Sequence, residues 1–103
     1  MPTSLEDLNS KVFREQLHTQ FKVHTGAQPL QLELIEVAER DDSPKIEFFS
    51  LHFLGPVHPL LGQQTHRLQH ERLGTFEIFF TPISADNQGT VYEAIFHRFR
   101  KQP

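Results

Sequence analysis

The spacing of apolar residues changes period once along the chain. Before residue 20 it is loosely helical. Val12, Phe13, Leu17 and Phe21 fit one helical face only in part. Ser4 stands where an N-cap is needed, and Glu6 and Asp7 fall in the first turn, where acids complement the helix dipole. The pattern allows this helix to stop near Ser10 or to resume from Val12 to Leu17. From Phe21 onward the period is two. Residues 21–25 alternate, and Gly26, Ala27, Gln28 and Pro29 signal a turn. Leu30, Leu32 and Leu34 alternate cleanly with polar residues, after which Ile35 and Val37 are apolar at odd positions. A one-residue slip of this kind predicts a β-bulge. A polar loop follows over residues 39–44.

Four further strands are predicted. Residues 46–54 place Phe49, Leu51 and Phe53 on one face, and Gly55-Pro56 ends the run. Residues 57–64 read as a loop, followed by a short strand over 64–69. A hairpin turn follows at Glu71, Arg72, Leu73 and Gly74, with Gly74 available for positive φ. Residues 75–83 carry Phe76, Ile78 and Phe80 on one side. Asp86, Asn87, Gln88 and Gly89 form a strong turn signal, and residues 90–99 make the last strand with Tyr92, Ala94 and Phe96 facing one way. No helical pattern separates these strands, so parallel βαβ units are not expected. The pattern predicts an all-β fold, an antiparallel barrel or sandwich of about six strands with a short N-terminal helix. Residues 1–19 form the helical segment and residues 20–103 the barrel or sandwich, one domain in all.

Composition narrows the chemistry more than the fold. The chain has 103 residues, 37% of them hydrophobic, enough for a core without staples. Phenylalanine supplies much of it, with 10 Phe against 1 Tyr and no Trp. There is no cysteine, which removes disulfides, thiolate metal sites and a Cys nucleophile. The net charge of −3 does not suggest a nucleic-acid partner. No apolar run approaches the roughly 20 residues that span a bilayer, and no signal peptide is visible, so the expected location is the cytoplasm. Residues 1–50 hold nine acids and five bases, a balance of −4, and residues 51–103 hold four and five, a balance of +1. Five of the seven histidines lie in the second half, which gains positive charge below about pH 6.5.

Several motifs resemble an uncharacterised family of small bacterial domains. One is the strand end carried by Phe49, Ser50, Leu51, Phe53, Gly55 and Pro56. Another is Thr65, Arg67, Leu68, His70, Leu73 and Gly74. The strand from Phe76 to Ile83 and the closing Tyr92, Glu93, Ala94, Ile95 and Phe96 complete the likeness. It covers most of residues 20–97. His66 departs from the pattern, which has an aromatic there. The resemblance implies no activity. Its members look like neighbours of phage-tail-collar-like genes, which implies assembly or accessory work by association.

The candidate chemistry turns on His66 and His70. On a helix, i and i+4 side chains lie about 6 Å apart and can chelate one ion. On a strand they share a face but stand about 13 Å apart, too far for one metal. As a helix, residues 63–73 would offer a core only Leu68 and Leu73. The strand reading fits better, with His70 hydrogen-bonded at the turn and His66 replacing an aromatic. His18, His24, His52, His58 and His97, with Glu33, Glu36 and Glu93, would need long-range convergence to make a site. Ser50 and His52 share a strand face about 7 Å apart, and no nucleophile elbow or glycine-rich phosphate loop is present. Asp41-Asp42 reads as a solvated loop. The basic run over His97, Arg98, Phe99, Arg100 and Lys101 could meet phosphate or an acidic partner, but reads first as a solvated terminus that discourages edge pairing.

Two strands are apolar on both faces. The second face of residues 46–54 carries Ile46, Phe48 and Leu54, and that of 91–99 carries Val91, Ile95 and Phe99. Either the N-terminal helix, through Leu5, Leu8, Val12 and Phe13, or another chain must cover this surface. The expected function is a non-catalytic binding or assembly module acting through protein contacts, as a homo-oligomer or with a protein partner. No cofactor, nucleic acid or membrane is expected. A small-ligand or metal-binding barrel using surface histidines, His52, His66, His70 or His97, is the alternative.

Overall fold

The computed structural model describes residues 8–24, 29–40, 44–58 and 60–99. Among them are one short helix, α1 (Ser10–Arg14), and six strands: β1 (Gln20–His24), β2 (Leu30–Arg40), β3 (Ile46–Gly55), β4 (Gln64–His70), β5 (Gly74–Asp86) and β6 (Gly89–Phe99). The strands close a barrel in the order β1-β2-β3-β6-β5-β4. All neighbours are antiparallel, and β1 pairs with both β2 and β4 to complete the ring. Closure gives every strand two partners, so no edge is left open.

The inner face follows the period-2 pattern. Phe21 and Val23 of β1, Leu32 and Leu34 of β2, Phe49, Leu51 and Phe53 of β3, Leu68 of β4, Phe76, Ile78 and Phe80 of β5, and Tyr92, Ala94 and Phe96 of β6 are all buried in one core. The predicted bulge is present. The β2–β3 register shifts between Leu34 and Glu36, leaving Ile35 as the extra residue, and Val37 then pairs with Leu51. A second bulge lies between Pro82 and Ser84 in the β5–β6 pair. It turns Ile83 outward, at 47% exposure. Two of the three predicted turns form, and Gly26, Ala27 and Gln28 of the third lie outside the described residues. Gly74 has φ 85°, and the Gln88 N–H donates to Asp86 Oδ1 at 2.8 Å.

One end of the barrel is closed by α1. Asn9 caps it, its Oδ1 accepting from the Val12 N–H at 2.9 Å. Phe13 is fully buried and meets the rings of Phe49, Phe76 and Phe96 at centroid distances of 6.1, 6.0 and 5.9 Å. Those three are inner-face residues, so the helix plugs the mouth. Ser10 Oγ donates to Glu39 at 2.6 Å and Arg14 pairs with the same carboxylate at 3.5 Å, which ties α1 to the end of β2. α1 therefore does not cover the outer face of β3 and β6, one of the two coverings that the sequence pattern allowed. In the mouth Phe13 is fully buried among three inner-face rings. Leu5 and the expected cap Ser4 lie outside the described residues, as do Asp41 and Asp42.

Arg98 also belongs to this end, contrary to its reading as part of a solvated terminus. Its inward side chain donates to Glu47 at 2.9 Å and to the Leu8 carbonyl. Its guanidinium lies over the rings of Phe49 and Phe96, which stack at 4.5 Å. A planar guanidinium can cover an aromatic pair and keep its donors in plane for such partners. At the opposite end the loop after β3 folds over the mouth. Leu61 is buried there, and its N–H donates to the Tyr92 hydroxyl at 2.9 Å.

Candidate functional site

His66 and His70 both lie on β4 and point inward. Their backbone is extended, so about 13 Å of strand separates them, and each is occupied by its own neighbours. His66 stacks on Phe80 at 4.4 Å with an interplanar angle of 12°, and its Nε2 lies 3.0 Å from the Gly62 carbonyl. It does the work of an aromatic ring with one polar corner. His70 Nδ1 accepts the N–H groups of Arg72 and Leu73 at 3.0 and 3.2 Å. That leaves the proton on Nε2, which faces Thr19 Oγ1 at 2.8 Å. Thr19 in turn donates to the Gln16 carbonyl at 2.6 Å. Burial pushes the His70 imidazole below its ordinary value, opposed by Glu71 and aided by Arg72. The ring therefore clips the β4–β5 turn to the segment after α1. Both histidines are buried, not at the surface.

His52 and His97 lie on the outer face and do not converge with the other two. His52 is held between two carboxylates, with Nδ1 3.3 Å from Glu36 and Nε2 3.0 Å from Glu93. The two nitrogens point to opposite sides, so this bridge ties β2, β3 and β6 together and does not present a chelate. His97 packs edge-on to Phe48 at 5.3 Å. Among the described residues no group of three or more His, Asp or Glu side chains is placed to hold a metal ion. Ser50 is not among the partners of His52.

The outer face of β2–β3–β6 is the surface with a pattern. Cross-strand register sorts it into rows. Glu33, Leu54, Val91 and Ser84 share one; Glu36, His52, Glu93 and Thr81 the next. Ala38, Ser50 and Ile95 follow, then Arg40, Phe48 and His97, and finally Ile46 and Phe99. Ile95 is 58% and Phe99 82% exposed, while Ile46, Phe48, Leu54 and Val91 are half-buried. The Arg40 guanidinium lies over the Phe48 ring at 5.4 Å. A shallow hollow at the end of this face is lined by Ile46, His97, Arg98 and Phe99. The six residues singled out from the sequence thus share one side of the barrel. Phe79 and Ile83 on β5 are exposed too and were not singled out. The adjacent Phe79-Phe80 pair was the available signal, because a period-2 strand must turn one of them outward.

These features define a small closed all-β barrel with a filled interior and a patterned outer face. The chain belongs to the family described as a domain of unknown function, DUF6916, whose model matches residues 8–96. No curated protein and no solved structure matches the chain. No helix among the described residues is long and apolar enough to cross a membrane.

Proposed function

We propose that this domain is a non-catalytic binding module that acts through protein contacts on the outer face of β3 and β6. The observation that carries this is the exposure of Ile95 and Phe99 beside the half-buried Ile46, Phe48, Leu54 and Val91, on a side that α1 leaves uncovered. Exposed apolar surface of this extent, here in rows interleaved with the polar row of Glu36, His52 and Glu93, marks a contact site. The polar groups of this face engage one another, as His52 does with Glu36 and Glu93. Such a face offers recognition without a reacting centre. A phage-tail-associated or phage-derived assembly is the setting that the sequence resemblance implies.

Photo-crosslinking in cells tests the reading. A benzoylphenylalanine side chain placed at Ile95 should give a discrete protein adduct. The same group at Lys22, exposed on the outer side of β1, should not. A smear at both positions, or no adduct at either, would overturn the proposal.

A further inference from the structure

Building on the protein-contact reading, we infer that the partner is a second copy of this chain, docked face to face through β2–β3–β6 about a two-fold axis that crosses the strands at Ser50 and Ile95. The argument rests on the row register. A two-fold axis in the interface plane, perpendicular to the strands, lays each strand over its own equivalent in reverse. The row of Ser50 and Ile95 then meets itself. The row on one side of it falls on the row on the other side. Glu93 faces His97 of the second copy, and Glu36 faces Arg40 of the second copy. One row further out, Leu54 falls on Ile46, and Val91 on Phe99.

Leu54 and Val91 thus meet Ile46 and Phe99, and Glu36 and Glu93 meet Arg40 and His97. The pattern is self-complementary, as an isologous interface requires. The alternative axis, running along β6, stacks Glu93 on Glu93. Like charges placed opposite one another disfavour that docking. Two antiparallel sheets packed face to face cross at about 30°. Rows next to the axis keep their partners at that angle, which gives the Glu36–Arg40 and Glu93–His97 pairs the most weight. The small Ser50 and Ala38 beside Ile95 let the two sheets approach closely at the axis. Glu36 and Glu93, bridged by His52, lie on one side of the central row, and Arg40 and His97 on the other, an asymmetry that a partner of uniform charge would not match.

The test uses the purified full chain in sedimentation equilibrium, with circular dichroism confirming that each variant folds. Wild type should sediment as a dimer, and Ile95→Asp should raise the dissociation constant by about 30-fold or more, the level of an interface hot spot. Glu36→Arg and Arg40→Glu should each weaken the dimer by about tenfold or more through like-charge contact, and the double variant should return to wild-type affinity. Because the chain has no cysteine, Ile95→Cys would carry the sole thiol and should form an intermolecular disulfide under mild oxidation, unlike Lys22→Cys. A wild-type monomer up to the solubility limit would overturn the second-copy inference. The broader contact reading would then survive only if benzoylphenylalanine at Ile95 still captured a protein of different mass in cells. A dimer indifferent to the charge exchange would overturn the two-fold arrangement.

Discussion

His70 offers the sharpest test of how the barrel is held at its α1 end. Its Nδ1 accepts two turn N–H groups, its Nε2–H meets Thr19, and its ring packs on Phe21 at 4.3 Å. Substitution by alanine removes the acceptor of the Arg72 and Leu73 N–H groups and the donor to Thr19, which keeps its bond to the Gln16 carbonyl. A buried polar group left without a partner costs about 1–3 kcal/mol. Arg72 is exposed, so water reaches the turn and its share falls at the low end. With lost packing on Phe21, His70→Ala should cost about 2–3 kcal/mol, or about 10–20 °C in Tm for a domain of this size. Asparagine carries Oδ1 where histidine carries Nδ1 and can keep the turn bonds. His70→Asn should therefore recover about 1 kcal/mol of the loss. The pH dependence has a definite sign. Burial holds the folded-state pKa of His70 below its ordinary value, so between the two values the unfolded chain binds more protons. The contribution of His70 is fully present above about pH 6.5 and is lost as pH falls through the folded-state value. Urea unfolding followed by circular dichroism between neutral and mildly acidic pH reads both effects. The slope of wild type minus His70→Asn should be positive with pH. Equal stability of the alanine variant and wild type, or a difference slope of zero, would refute this account of the clip.

Three further outcomes follow from the packing at the two barrel mouths. Phe13→Ala empties the centre of the Phe49, Phe76 and Phe96 cluster and should cost about 3–5 kcal/mol in urea unfolding; a loss below 1 kcal/mol would show that α1 does not plug the barrel. Gly55→Ala places a Cβ 2.5 Å from Leu32 Cδ2 and 3.3 Å from the Tyr92 ring, and overpacking should cost about 1–3 kcal/mol by the same assay. Tyr92→Phe removes the acceptor of the buried Leu61 N–H. It should destabilise by about 1–3 kcal/mol and accelerate hydrogen exchange at Leu61 ahead of the strands; unchanged exchange there would show that the loop is held by other contacts.

The strand faces were legible because side chains alternate with a fixed period of two. Phe49, Leu51 and Phe53 on one side and Phe48 and Leu54 on the other follow from that alone. The first bulge was legible for the same reason, since Leu34 and Val37 cannot share a face without an extra residue between them. The second bulge was hidden, because Phe79 and Ile83 are apolar on the outer side and no slip shows against them. The two turns were readable from the positive-φ demand at Gly74 and the Asp86–Gly89 signal. The roles of His66 as a stacked ring and of His70 at the turn were legible from the strand reading. The inward turn of Arg98 was not, because its partners Glu47, Leu8 and the stacked Phe49–Phe96 pair come together only in the fold.

The candidate surface divides along the same line. That Ile46, Phe48, Leu54, Val91, Ile95 and Phe99 lie opposite the core was determined by the sequence alone, through local alternation. Which of them share a row was decided by the fold, because the β3–β6 register comes from the pairing of distant strands, and the bulge after Leu34 sets where β2 joins it. The same register brings Glu36, His52 and Glu93 together. The place of α1 was likewise a tertiary decision. An amphipathic turn bearing Phe13 could cover the outer face or the mouth, and only the barrel's closure created an aromatic mouth for it to fill. Local pattern sets the direction in which each side chain points; the closed sheet sets what it meets there.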